Sequence, residues 1–203
     1  MKAPRLKRMD FLTGLFLAFS GALFHKVFNR KTEDSFYEVP FDFIRPPGTT
    51  DESLFLNRCV RCRACGDVCA AGCIRFFSAS EHPLLAGTPY LIPRLRACNL
   101  CTNCGRVCPT GALSPVKKDI KEIAKTVKMG LAVVIESNCL SYNGRVCGVC
   151  RDACPLKGIA IKLKPVAKPV VIEDGCIGCG RCEEHCPQLP AAIIVKRKET
   201  SHA

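Results

Sequence analysis

CIGCGRCEEHCP occupies residues 176–187, and the rest of the chain reads outward from it. Cys176, Cys179 and Cys182 stand two residues apart, and Cys186 follows after three more with Pro187 behind it. The pattern C-x2-C-x2-C-x3-C-P suits a cubane 4Fe–4S cluster, which offers one outward coordination site on each iron. Three closely spaced thiolates wrap three corners of one cube, and the fourth is carried on to ligate a neighbouring cluster. Zinc sites instead bring two short Cys or Cys/His pairs together across a long gap. The third close cysteine and the trailing Cys-Pro favour iron–sulfur.

The run recurs. CVRCRACGDVCA gives Cys59, Cys62, Cys65 and Cys69; CNLCTNCGRVCP gives Cys98, Cys101, Cys104 and Cys108. A third copy is stretched, with Cys139 followed at a distance by Cys147, Cys150 and Cys154. The four runs use sixteen of the seventeen cysteines and leave only Cys73. Repetition at this level sets the organisation: four cluster motifs make two modules of two clusters each. Run one has Ala70 where proline is usual, but Cys69 keeps the spacing and is taken as the ligand. Cys73 reads as a small buried apolar residue, with a substitute ligand or redox-sensitive thiol as the alternative. The expected cofactors are four 4Fe–4S clusters on the sixteen cysteines.

So many cysteines superficially suggest a disulfide-bonded secreted chain, yet a disulfide framework has no need of regular C-x2-C-x2-C triplets. The formal charge of +12 suggests nucleic acid until the cofactors are counted. A cubane with four thiolates carries roughly −2, and four of them bring the holoprotein to about +4. That modest basic surface suits an acidic redox partner or an anionic membrane face better than a polynucleotide. No C-x2-C-H haem site and no glycine-rich dinucleotide loop occur, and the four histidines show no metal spacing. His185, inside run four, reads as tuning or shielding a cluster. No catalytic residue, small-molecule substrate or nucleic-acid partner is expected; the chain reads as an electron-transfer subunit and not an enzyme.

The chain opens with Lys2, Arg5, Lys7 and Arg8 ahead of an apolar stretch at 11–24, the charged and apolar regions of an export signal. RMDFL at 8–12 is similar to the twin-arginine motif, with Met9 in place of the second arginine. No A-x-A cleavage site follows, so residues 1–28 are expected to stay as a hydrophobic helix that anchors or docks the protein. Residues 29–50, with Pro40, Pro46, Pro47 and Gly48, read as an extended linker. Thr49 is the expected N-cap of a short helix before run one. Module 1 spans 51–114 and includes a short strand at 90–92. A connecting helix spans 115–130, with Ser114 as N-cap, Pro115 at N1, an apolar stripe of Ile120, Ile123, Ala124 and Val127, and Gly130 ending it. Module 2 spans 131–195, with strands at 131–135, 159–163, 169–173 and 192–195, and a basic tail covers 196–203. Strand, clusters, hairpin, clusters, strand is ferredoxin-like topology. The fold expected is therefore α+β: two ferredoxin-like modules with short β-hairpins and helices, preceded by the N-terminal hydrophobic helix.

Several stretches between and around the runs sharpen this. RPPG (45–48), GTPY (87–90), CPTGAL (108–113) and above all CLSYNGRVCGVCRDACPL (139–156), with its widened first gap, resemble the ferredoxin-type MauM/NapG family. The resemblance runs from about residue 45 to 195. It implies electron transfer at the periplasmic face in methylamine dehydrogenase or periplasmic nitrate reductase systems. The implied partners are a membrane quinol-oxidising iron–sulfur subunit on one side and a c-type cytochrome or terminal reductase on the other. The alternatives are a cytoplasmic iron–sulfur subunit of a larger oxidoreductase, a maturation ferredoxin and, last, a zinc ribbon.

Two pairings of the runs remain open. The strands expected between Cys154 and Cys176 make the hairpin that joins the halves of a single module. Runs three and four then pair, Cys186 completing the set of Cys139, Cys147 and Cys150, and Cys154 that of Cys176, Cys179 and Cys182. Cys108 then joins Cys59, Cys62 and Cys65, and Cys69 joins Cys98, Cys101 and Cys104. The nested alternative sets run one against run four and run two against run three. Sequential pairing is favoured because consecutive elements tend to be neighbours.

Overall fold

One backbone device recurs at every cysteine run. The residue directly after the second cysteine of the closely spaced triplet turns left-handed, at Arg63 (φ 64°), Thr102 (φ 61°), Gly148 (φ 78°) and Gly180 (φ 85°). Each then starts a helix of about one turn that carries the third cysteine. The structure is a computed structural model that describes residues 43–197. The expected hydrophobic helix at 1–28, most of the 29–50 linker and nearly all of the basic tail lie outside the described residues.

In chain order the elements are α1 (Glu52–Arg58), α2 (Ala64–Asp67), β1 (Ile74–Phe76), β2 (Pro89–Leu91), α3 (Asn103–Arg106), α4 (Ile120–Thr126), β3 (Leu131–Val134), α5 (Val149–Ala153), β4 (Ile161–Lys164), β5 (Lys168–Val171), α6 (Arg181–Glu184) and β6 (Ile193–Lys196). β1 pairs antiparallel with β2, Ile74 opposite Leu91. β4 and β5 form the expected hairpin, Ile161 opposite Val171, turning through a 3-10 turn at Pro165–Ala167. β3 pairs antiparallel with β6, Ala132 opposite Val195, so the second half closes on itself as the ferredoxin-like order requires. Mixed short helices and hairpins of this kind make the fold α+β.

The helix expected at 115–130 is shorter and starts elsewhere. Asp119 is its N-cap, accepting from the N–H groups of Lys121 and Glu122, and it runs only over Ile120–Thr126. Ser114 lies five residues before this start and does not cap it; its N–H donates to the Gly48 carbonyl (2.9 Å). The turn at Pro46, Pro47 and Gly48 packs against Ser114 so closely that a Cβ on Gly48 would lie 2.3 Å from the Ser114 carbonyl oxygen. Of the apolar stripe, Ile123 and Val127 are buried while Ile120 is 47% exposed. Gly130 ends no helix; it lets the chain pass Lys196, whose carbonyl oxygen a Cβ would approach to 2.5 Å. Thr49 is likewise not a cap: its hydroxyl donates to the Pro46 carbonyl, and Asp51 caps α1 by accepting from the Leu54 N–H.

The core is not two separate centres. Ile44, Leu91 and Leu100 from the first half belong to one buried cluster with Ile123, Val127, Ala132, Ile177 and Ile193. A smaller cluster around Phe55, Ala112 and Leu113 backs the first half alone. Arg45, which the sequence reading passed over, is buried and pins this region. It donates to Glu52, Thr88 and the Pro89 carbonyl and lies over the Phe43 and Phe55 rings. Glu52 also receives Arg197 (3.0 Å), so the end of β6 is tied to the start of α1.

Candidate iron–sulfur sites

The cysteines gather by run pairs. Cys59, Cys62 and Cys65 from run one line a cavity of about 360 Å³ together with Cys108 from run two. Cys98, Cys101 and Cys104 from run two line another, about 280 Å³, with Cys69 and Cys73 from run one. Cys139, Cys147 and Cys150 share a third, about 350 Å³, with Cys186 from run four. The remaining four meet as well. Cys182 is affected by the neighbouring charges of Cys179, Cys176, Cys150 and Cys154, and Cys154 by that of Cys176. This is the sequential grouping.

The sets are also electrostatic neighbours in an order. Cys65 is among the neighbours of Cys104, linking the first set to the second. Cys98 is among those of Cys179, linking the second to the fourth. Cys150 is among those of Cys182, linking the fourth to the third.

The backbone is prepared for a bound anion. Left-handed residues flank the second cysteine on both sides in runs one, two and four: Arg61 and Arg63, Leu100 and Thr102, Gly178 and Gly180. Alternation of this kind turns successive N–H groups toward one point, a concavity found at many iron–sulfur sites. Glycine takes the conformation freely in run four, whereas Arg, Leu and Thr hold it in the first half against their Cβ. Each set has an amide near a sulfur: Leu113 N–H to Cys108 (3.4 Å), Leu100 to Cys98 (3.4 Å), Ala132 to Cys176 (3.5 Å) and Ala192 to Cys186 (3.3 Å).

Without a cofactor several of the buried thiols resist ionisation. Burial, then the nearby Cys59 and Cys62, pushes Cys65 up to about 11. Burial pushes Cys104, Cys150 and Cys179 to about 12. Loading such a site with thiolate-ligated metal must therefore release protons. Two cysteines go the other way. Burial raises Cys108, but the N–H groups of Leu113, Thr110 and Ala112 and the Thr110 hydroxyl more than offset it. Cys98 is lowered first by the Cys73 thiol, which donates to it. Cys73 is raised correspondingly, is 3% exposed, and lies 3.5 Å from the Cys69 sulfur. The leftover cysteine is buried, but among sulfurs.

The donor sets fit the cluster. Among the described residues no group of three or more His, Cys, Asp or Glu side chains is arranged to hold a single metal ion. The sulfurs ring cavities instead. Among the described residues the buried side-chain polar atoms without a partner are Thr102 Oγ1, Ser141 Oγ, Arg181 Nε and Arg197 Nη1. Thr102 and Ser141 line two of the cysteine cavities, and Arg181 acts electrostatically on Cys154. Nothing in the sequence pattern marked these residues, because their meaning depends on what lies opposite them. His185, expected to tune or shield, faces solvent with Nδ1 on the Arg181 carbonyl (2.9 Å).

Comparison with known proteins agrees with this geometry. A 4Fe-4S dicluster domain matches residues 58–112, and a second matches residues 145–187, which amounts to four 4Fe–4S clusters. The methylamine utilization ferredoxin-type protein MauM of Methylophilus methylotrophus is 39% identical over 166 residues, spanning 77% of this chain and 71% of its own length. That of Paracoccus denitrificans is 41% identical over 162 residues, spanning 75% of this chain and 70% of its own length. The ferredoxin-type protein NapG of Escherichia coli is 36% identical over 165 residues, spanning 75% of this chain and 69% of its own length.

Proposed function

Because the chain belongs to the MauM/NapG ferredoxin-type family of iron–sulfur electron-transfer proteins, we propose that it relays single electrons from a membrane quinol-oxidising partner toward a periplasmic c-type cytochrome or terminal reductase. The four clusters, when bound, supply the one-electron chemistry. The chain supplies position, burial and hydrogen bonds to sulfur.

We assign four ligand sets: Cys59, Cys62, Cys65 and Cys108; Cys69, Cys98, Cys101 and Cys104; Cys139, Cys147, Cys150 and Cys186; Cys154, Cys176, Cys179 and Cys182. Shared cavities support the first three and electrostatic neighbourhood the last. The observation that carries the relay is the bond from the Cys98 N–H to the Cys179 carbonyl (3.0 Å). It brings the second ligand set beside the fourth and, with the electrostatic neighbourhood of Cys65 and Cys104 and of Cys150 and Cys182, supports a relay in the order first, second, fourth, third. The first and third sets are then the ends where partners exchange electrons. Cys62, in the first, is exposed. The apolar stretch at 11–24 with its basic leader serves as a retained anchor at the periplasmic face. Among the described residues no helix is long and apolar enough to cross a membrane.

The test is anaerobic purification of the full chain, with iron and sulfide analysis and EPR-monitored reduction, and fractionation of spheroplasts. About sixteen irons per chain, four per cluster, and protease access from the periplasmic side are expected. Stoichiometric zinc, or protease access only from the cytoplasmic side, would overturn the corresponding half of the reading.

A further inference from the structure

Ser141 is fully buried, at 0% exposure, and its Oγ has no hydrogen-bond partner within the chain. It lines the cavity ringed by Cys139, Cys147, Cys150 and Cys186. Thr102 repeats the arrangement at 3% exposure, with Oγ1 unpartnered in the cavity of Cys69, Cys98, Cys101 and Cys104. A buried hydroxyl left unsatisfied costs about 1–3 kcal/mol, and nearly all such groups find partners in folded proteins. Here both hydroxyls belong to residues that line a cavity where the cofactor belongs. At Ser141 the surrounding wall is largely apolar: Leu140, Pro169, Pro187, Ala192 and Ile193. The one nearby amide, that of Gln188, is engaged by the Asn138 carbonyl (3.1 Å).

We propose that Ser141 and Thr102 each donate an O–H···S hydrogen bond to the cluster held in their own cavity, and so raise the potentials of the third and second centres. The inference rests on the ligand sets proposed above. Sulfur is the acceptor on offer, and an anionic one, so the hydroxyl is the donor. Reduction adds negative charge to the cluster, so a donated bond is stronger in the reduced state and shifts the midpoint upward. Backbone N–H groups serve every site, with an amide at 3.3–3.5 Å from a cysteine sulfur in each, and the first site has the N–H groups of Thr110 and Ala112 toward Cys108 as well. At the first set the Thr110 hydroxyl is 3.8 Å from Cys108, but it is exposed and water competes for it. The two buried hydroxyls therefore act on the second and third centres, while Arg181 acts on Cys154 of the fourth.

The experiment is an EPR-monitored redox titration of the anaerobic holoprotein with iron analysis in parallel. Ser141→Ala should keep full iron and move one midpoint downward, leaving the other three in place. Ser141→Thr, which keeps the hydroxyl, should return that midpoint toward the wild-type value. Thr102→Val should move a different midpoint down, and Thr102→Ser should restore it. If Ser141→Ala fails to load, the near-isosteric Ser141→Cys, a weaker donor, should give a smaller downward shift of the same midpoint. Full iron with all midpoints unmoved would overturn the inference while leaving the ligand sets intact. Hydroxyl-keeping variants that shift as far as the hydroxyl-free ones would overturn it too, since packing alone would then be the cause. A wild-type iron content well short of sixteen per chain would instead strike at the ligand assignment itself.

Discussion

The N–H of Cys98 donates to the carbonyl of Cys179 across 3.0 Å, so two cysteines from different halves of the chain are joined through their backbones. The segment just before Cys98 builds the rest of this joint. Arg94 donates to the carbonyls of Glu183 (2.7 Å) and Cys186 (2.9 Å) through Nη1, and to that of Gln188 (3.2 Å) through Nη2. Pro93 packs onto Gly180, where a Cβ would lie 2.3 Å from the proline Cβ. The halves are thus joined by direct contact between the second and fourth cysteine runs, in addition to the shared core under α4.

Arg94→Ala removes a charged donor from four carbonyls at once, that of Glu184 (3.4 Å) included. Hydrogen bonds to a charged group contribute about 1.5–3 kcal/mol each, and shared ones fall short of additive. The holoprotein should lose about 2–4 kcal/mol of stability in denaturant unfolding. Arg94→Lys should recover only part, because a lysine lacks the planar fork that reaches several carbonyls. An unchanged midpoint for Arg94→Ala would mean that the joint is held by the core alone.

Two glycines separate close approach from mere conformation. Gly178 has φ 72°, and its Cβ would meet the Gly130 nitrogen at 2.2 Å. Gly158 has φ 86° and nothing within 4 Å. Gly158→Ala should cost about 1–2 kcal/mol, the penalty of a left-handed alanine, and retain all iron. Gly178→Ala must move backbone beside Cys176 and Cys179 and should lose one cluster's worth of iron on purification. Equal iron content in the two variants would refute the steric account.

Cys69 and Cys73 compete for one role, and their sulfurs are 3.5 Å apart. Cys69 keeps the repeat spacing, while Cys73 acts as a thiol donor toward Cys98. Cys69→Ser should lose or convert one cluster, seen as reduced iron or a 3Fe–4S signal. Cys73→Ser should keep full iron, because a hydroxyl can also donate to Cys98. The reverse pattern would make Cys73 the ligand.

The cysteine spacing made the site legible because cluster coordination is local: three thiolates within seven residues are fixed by the chain itself. The hairpin of β4 and β5 was legible for the same reason, since a proline turn between β-branched runs needs no distant partner. What stayed hidden depends on distant contacts. Ser114 has the composition of a helix cap, but the segment after it is held against Gly48, some sixty-six residues away in sequence, and the helix starts only at Asp119. β1 is three residues long, too short for alternation to declare it, and exists because β2 lies beside it. Thr102 and Ser141 look like ordinary loop hydroxyls until the cavities they line are seen.

The pairing of runs gives the last prediction. Cys186 shares a cavity with Cys139, Cys147 and Cys150, and the Ala192 N–H lies 3.3 Å from its sulfur. Cys154 stands among Cys176, Cys179 and Cys182. Removing each fourth ligand should therefore expose thiols in the partner run and spare those in its own. In Cys186→Ser holoprotein, mild alkylation followed by mass spectrometry should newly label Cys139, Cys147 and Cys150. In Cys154→Ser the newly labelled set should be Cys176, Cys179 and Cys182. A nested arrangement makes a different demand: Cys186→Ser would then expose Cys59, Cys62 and Cys65 and leave run three protected. Burial sharpens the comparison, because the thiols that gain reactivity start from full protection in the loaded protein, and ligation as well as depth provides it. Labelling of Cys59, Cys62 and Cys65 in the Cys186 variant would sink the sequential pairing and, with it, the order of the relay.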